Sequence, residues 1–135
     1  YYDQLKDWDA VRDLLRQNNI PAAPHIVSWP GKSTVSEILE TGGEKLAIGT
    51  YSVLPNHLPN EYPAIKDKRA GIQDMGSQLV SEIFFATRND TAQKWLDLCA
   101  GPGGKAALLH NLLQVEKPND GFLANEPTRS NVPLK

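Results

Sequence analysis

Residues 97–105 read Asp-Leu-Cys-Ala-Gly-Pro-Gly-Gly-Lys: three glycines and a proline in one turn, with the apolar run Ala-Ala-Leu-Leu following. Glycines let the main chain bend sharply and let a ligand approach with no side chain in the way. A helix begun at such a turn offers unsatisfied N–H groups and a partial positive charge at its start. Glu126 stands 22 residues beyond Gly104, at the end of the short run Gly-Phe-Leu-Ala-Asn. In an open parallel sheet, ligands sit beyond the carboxyl ends of the strands, and a carboxylate closing the second strand accepts hydrogen bonds from ribose hydroxyls. These residue types in this order point to a ligand with an adenosine-like ribose and a carboxylate or phosphate.

Ligand classes separate on spacing. A Walker loop needs Gly five residues before its Gly-Lys and a Ser or Thr after it. Counting back from Gly104-Lys105 places Cys99 at the first position, and Ala106 follows the lysine. Both requirements fail, which argues against ATP and GTP. A dinucleotide fingerprint fits Gly101, Gly103 and Ala106 in its Ala-ending form, and leaves NAD open. S-adenosylmethionine sites use the same strand, turn and helix with an acidic end to the second strand.

Residues 93–100 are expected as a buried-type strand, 103–114 as a helix with Ala107, Leu108, Leu112 and Val115 on its covered side, and 121–126 as a second strand. A strand-helix-strand crossover implies two parallel strands. Before it, 71–87 predicts a helix capped by Asp74 or Ser77, with Leu79, Val80, Ile83 and Phe84 as its apolar positions. Residues 3–19 set Leu5, Trp8, Val11, Leu14 and Leu15 on one helical face, with Asp3 as N-cap and Asn18-Asn19 as the stop. Residues 25–30 predict a strand, 33–41 a short helix and 44–54 an extended stretch. The prolines and asparagines of 55–70 predict a loop or linker. The expected organisation is a small α+β subdomain over 1–55, a linker over 56–70 and an α/β domain over 71–135. Two parallel strands leave faces and edges in need of cover. The second crossover helix would begin where the sequence stops at Lys135, so the chain is expected to be a piece of a longer protein.

Composition sets limits. The chain has 135 residues and a formal net charge of −2. The charge balance is even along it, with no basic footprint of the kind a nucleic-acid partner leaves. No apolar run approaches the length of a membrane span, and the opening segment is unlike a signal peptide. One cysteine, Cys99, excludes an internal disulfide and fits a reducing, cytoplasmic setting.

The string Leu-Asp-Leu-Cys-Ala-Gly-Pro-Gly-Gly-Lys resembles the cofactor motif of the Sun-type RNA cytosine-5 methyltransferase family. The segment Arg69 to Phe84, with Gln73-Asp74 and Ser77, resembles the helix that precedes that motif. Leu123 to Lys135 resembles the family's second strand, its acidic residue and the arginine after it. Order and spacing agree over 69–135, and 1–55 is loosely similar to the small RNA-binding subdomain of family members. The resemblance implies a Rossmann-like class I methyltransferase domain, S-adenosyl-L-methionine as cofactor, RNA (ribosomal RNA above all) as substrate, and a monomer away from membranes. It implies cofactor contacts from Cys99, Ala100, Gly101, Pro102, Gly103, Gly104, Lys105 and Glu126. It also implies a mechanism in which a cysteine thiolate adds to carbon 6 of an unstacked cytosine and carbon 5 takes the methyl group. Both family cysteines belong to later strands, so no catalytic residue is expected in this chain, and it should be inert alone. A non-catalytic RNA-binding assembly protein and an NAD-dependent oxidoreductase remain as alternatives.

Other residues carry milder expectations. Cys99 reads as a small buried residue at a strand end, its backbone near the cofactor. Lys105 reads equally as a ligand for the methionyl carboxylate or as a solvated lysine. Asp97 reads as support for the glycine turn, and Arg129 as solvent-facing. Gln73, Asp74 and Ser77 shape the cofactor pocket, although capping explains Asp74 and Ser77 as well. His25, His57 and His110 share no metal spacing and read as surface or loop residues. Trp8, Trp29 and Tyr51 are expected in packing more than in base stacking, and Lys66, Lys68 and Arg69 as a charged loop more than an RNA contact.

Overall fold

The computed structural model describes residues 2–45, 51–54, 57–89, 91 and 93–125. Two helices, α1 (Tyr2–Leu5) and α2 (Trp8–Asn18), replace the single helix expected over 3–19. The chain breaks at Lys6, whose φ is 55°, and at Asp7, which is extended and accepts the Asp9 N–H at 2.8 Å. Asp7 therefore takes the capping role expected of Asp3, which lies inside the first turn of α1. Of the expected apolar face only Val11 is buried, and Trp8 is 61 % exposed.

The first sheet holds β1 (His25–Ser28), β2 (Glu44–Lys45), β3 (Tyr51–Ser52) and β4 (Ala70–Ile72), in the order β2-β3-β1-β4 with every pair antiparallel. Helix α3 (Val35–Glu40) begins at Thr34, whose hydroxyl accepts the Glu37 N–H at 3.2 Å. The expected linker is not bare loop: it carries a 3-10 turn at Pro59–Glu61 and helix α4 (Pro63–Lys66), and β4 begins at its last residue. Pro59 and Pro63 each open a helical turn, where a missing N–H costs nothing, so these prolines start structure rather than exclude it. Ile26, Ile38, Val53, Tyr62, Ala64 and Ala70 form the core of this region. Arg69 binds Glu37 at 2.6 Å and Asp67 at 3.3 Å, which holds α3 against the α4–β4 junction. The Glu37 carboxyl lies below its usual range because it accepts from the Arg69 guanidinium.

The second region holds α5 (Met75–Ala86), β5 (Lys94–Asp97), α6 (Gly104–Glu116) and β6 (Gly121–Ala124). Asp74 caps α5 by accepting the Ser77 N–H at 3.2 Å. Strands β5 and β6 run parallel, Trp95 opposite Phe122 and Leu96 opposite Leu123. Phe85, Trp95, Leu109 and Leu113 form the second core, with Leu112 and Phe122 packed on it. Asp120 fixes the strand starts: it accepts the Trp95 indole N–H at 2.8 Å and the Gln93 N–H at 2.9 Å. Helix faces differ from expectation. In α5 the buried residues are Gln78, Ser81 and Phe85, while Val80, Ile83 and Phe84 are exposed. In α6 the buried face is Ala106, Leu108, Leu109, Asn111 and Leu113, and Val115 is exposed. Asn111 tolerates burial because its amide donates to the Ala107 carbonyl at 2.7 Å.

His25 joins the two regions. Its carbonyl accepts the Gln73 N–H at 3.0 Å, and its Nδ1 accepts the Met75 N–H at 3.1 Å. It is half-buried on β1, not the surface or loop histidine expected. No described helix is long and apolar enough to cross a membrane.

Candidate cofactor site

The parallel register places Asp97 and Ala124 side by side at the carboxyl ends of β5 and β6. The glycine turn rises from that edge. Asp97 shapes it, its side chain accepting the Cys99 N–H at 3.1 Å. Main-chain bonds then tie the turn to the end of β6. Asn125 N–H donates to the Asp97 carbonyl at 2.8 Å, and Ala100 N–H donates to the Asn125 carbonyl at 3.0 Å. Gly103 N–H closes the turn on the Ala100 carbonyl at 3.0 Å. Asn125 had no signal in the sequence, because its part is played by backbone atoms that any residue carries.

Gly101 and Gly103 adopt φ of 56° and 97°, where L side chains are strained. A Cβ built on either would meet nothing within 4 Å. Backbone curvature thus demands both glycines, and no described residue fills the space where their side chains would stand. Gly103 is also the N-cap of α6 and offers it no side-chain bond. By contrast α2, α3 and α5 begin on side-chain oxygens of Asp7, Thr34 and Asp74. The N–H groups of Gly104, Lys105 and Ala106 have no upstream carbonyl inside the helix, and they face the turn with the positive end of the helix dipole. Behind them lies Gln73, 94 % buried, its amide carbon 3.8 Å from where a Cβ on Gly104 would stand.

Lys105 is exposed at the first turn of α6. It borders a shallow apolar groove of about 270 Å³, lined also by Val80, Phe84, Leu96 and Leu98. Cys99 is exposed, which corrects the buried position expected of it. β5 ends at Asp97, so residues 98–99 already turn beyond the layers that would cover a strand end. Pro102 is exposed on the turn. Glu126 and Arg129 lie outside the described residues.

The chain is 39% identical over 104 residues to two curated proteins from two strains of Mycobacterium tuberculosis, each named provisionally as a methyltransferase. The match takes in 73% of this chain and 22% of each relative, so the chain spans about a fifth of their length. This likeness supports a methyltransferase family. No family model matches the chain.

The remaining candidates lie away from the turn. His57 pairs with Glu61 at 3.1 Å, and His110 sits beside Phe122 with ring centres 6.1 Å apart. No group of His, Cys, Asp and Glu able to hold a metal occurs among the described residues. Trp29 packs on Gly71, where a Cβ would come within 3.0 Å of its ring. The Tyr51 side chain lies outside the described residues. Within the basic cluster Arg69 is committed to Glu37 and Asp67, so its charge is locally balanced.

Proposed function

We propose that the protein to which this chain belongs transfers a methyl group from S-adenosylmethionine to carbon 5 of cytosine in RNA, ribosomal RNA being the favoured substrate. The observation that carries the cofactor assignment is the bare turn at Gly101–Gly104. It feeds an α-helix without a side-chain cap, at the carboxyl end of a parallel strand pair. The methyltransferase likeness supports the same reading. The assignment to RNA and to cytosine rests on the resemblance of residues 69–135 to the Sun-type family.

The residues present suit such a cofactor. Space that no described residue fills beside two positive-φ glycines admits a ligand against main chain. The first-turn N–H groups and Lys105 suit a carboxylate. When bound, S-adenosylmethionine supplies a methyl group made electrophilic by its sulfonium. The chain's own part is to bind and orient it: Cys99 to Lys105 by backbone and helix start, and Glu126 by gripping the ribose. Residues 71–135 would then be the opening of a Rossmann-like domain, and 1–55 a small subdomain for RNA.

Titration calorimetry with S-adenosylmethionine and with NAD tests the cofactor. Binding of the first and not the second is expected. Gly103→Ala should weaken that binding at least tenfold while costing folding stability only the left-handed strain, about 1–2 kcal/mol. Binding of NAD alone ends the proposal. Release of tritium from RNA carrying 5-tritiated cytidine, measured with the full-length protein, tests the substrate; methylated RNA without tritium release would exclude carbon 5.

A further inference from the structure

Both polar atoms of the Gln73 side chain, Oε1 and Nε2, are buried with no hydrogen-bond partner among the described residues. Exchanging oxygen and nitrogen changes nothing, since both positions lack one. The backbone around them is firmly held. Gln73 N–H donates to the His25 carbonyl at 3.0 Å, and the Gln73 carbonyl accepts from Gln78 Nε2 at 2.8 Å. A buried amide without partners costs stability, and in a native protein such a group calls for an explanation, of which a bound molecule is one. What lies next to it is Gly104, the first residue of α6: Gln73 Cγ and Cδ are both 3.8 Å from the position of a Cβ there. Two independent features therefore lie side by side, an orphaned buried amide whose Cγ and Cδ reach the Gly104 position and a 13-residue helix whose N-cap, Gly103, has no side chain to cap it.

Resting on the S-adenosylmethionine reading above, we infer that the Gln73 amide receives the α-amino-acid end of that ligand and makes the site selective for it. The chemistry fits in both senses. The carboxylate is the anionic group of S-adenosylmethionine, and it belongs at the helix start, on the N–H groups of Gly104 to Ala106. The amide beside that start presents donors on Nε2 to the carboxylate and an acceptor on Oε1 to the α-ammonium. A carboxylate alone satisfies only half of Gln73, and an adenosine without the amino-acid tail satisfies none of it. Gln73 is thus a positioning and specificity residue, distinct from the glycine turn that accommodates the remainder of the ligand.

The experiment compares S-adenosylmethionine with 5′-methylthioadenosine, which lacks the amino-acid end, on the full-length parent chain and its Gln73→Leu variant. Leucine keeps the volume and removes both orphaned atoms, so the variant should melt at the same temperature as the parent chain or higher. Its affinity for S-adenosylmethionine should fall roughly ten- to hundredfold, with affinity for 5′-methylthioadenosine unchanged. In the ¹⁵N-labelled parent chain, the side-chain amide resonance missing from Gln73→Leu should shift with S-adenosylmethionine and stay still with 5′-methylthioadenosine. If the parent chain binds both ligands and the variant loses neither, or both alike, Gln73 is structural and this inference is overturned while the cofactor reading stands. If the parent chain binds neither ligand, the cofactor reading fails and takes the inference with it.

Discussion

The two sheets bury apolar clusters of similar kind and close them differently. In the first sheet the strands are antiparallel, and α3, α4 and the 3-10 turn supply Ile38, Ala64 and Tyr62 to one core around Ile26. An antiparallel sheet is stable with one face wet. In the second, α5 and α6 cover the Trp95 and Phe122 face of two parallel strands. The opposite face shows Leu96 at 52 % and Leu123 at 64 % exposure, and Leu98 and Val80 border the same groove as Leu96. Parallel strands are ordinarily covered on both faces. The lesson is that burial of the candidate site's scaffold is one-sided among the described residues. The turn itself is held by hydrogen bonds to Asp97 and Asn125 rather than by packing.

The largest effect that could break this comparison comes from Trp95→Ala, which removes the centre of the second core and should cost about 3–5 kcal/mol in urea unfolding followed by circular dichroism. Hydrogen-exchange protection should vanish from α6 and persist in β1. Simultaneous loss in β1 would show the regions to be one cooperative unit. Next comes Asp120→Asn. The Asp120 carboxyl is held below its ordinary value, first by the Trp95 indole N–H and then by the Gln93 N–H. A lowered folded-state value means the charge stabilises fully above the unfolded carboxylate pKa of about 3.9 and loses that effect as pH falls through the lower folded one. The variant should melt below the parent chain at pH 7, with the gap narrowing below about pH 4. A gap of the same size at pH 3 would exclude charge as its cause. Smallest is Leu123→Gln on the open face, expected within about 0.5 kcal/mol of the parent chain; a larger loss would show that face to be covered in solution.

Much of the second region was legible. Both strands and the intervening helix follow from short apolar runs punctuated by the glycine turn, and the cap at Asp74 was one of two readings offered by its segment. Helix faces were less so. In α5, apolar residues occur at Leu79, Val80, Ile83, Phe84 and Phe85, which is too many around the helix for periodicity to choose a side. Packing against α6 and Trp95 selected Phe85 with the small or amide residues Ser81 and Gln78. The break at Lys6–Asp7 and the helical turns at Pro59 and Pro63 were missed. Pattern reading treats an aspartate within a helix as tolerated and a proline as a stop, whereas the N-cap position makes Asp7 a start and the first turn does the same for Pro59 and Pro63.

By itself the sequence determined the glycine turn, its place between a strand and a helix, and the chemistry a bare helix start can offer, because these depend on residue types a few positions apart. Tertiary structure decided that Asn125 backbone locks the turn, that His25 anchors the start of α5, and that Gln73 ends beside Gly104 with its amide unanswered. Those contacts join residues 25 to 50 positions apart. No local pattern encodes them, since they follow from how the two sheets and their helices stack.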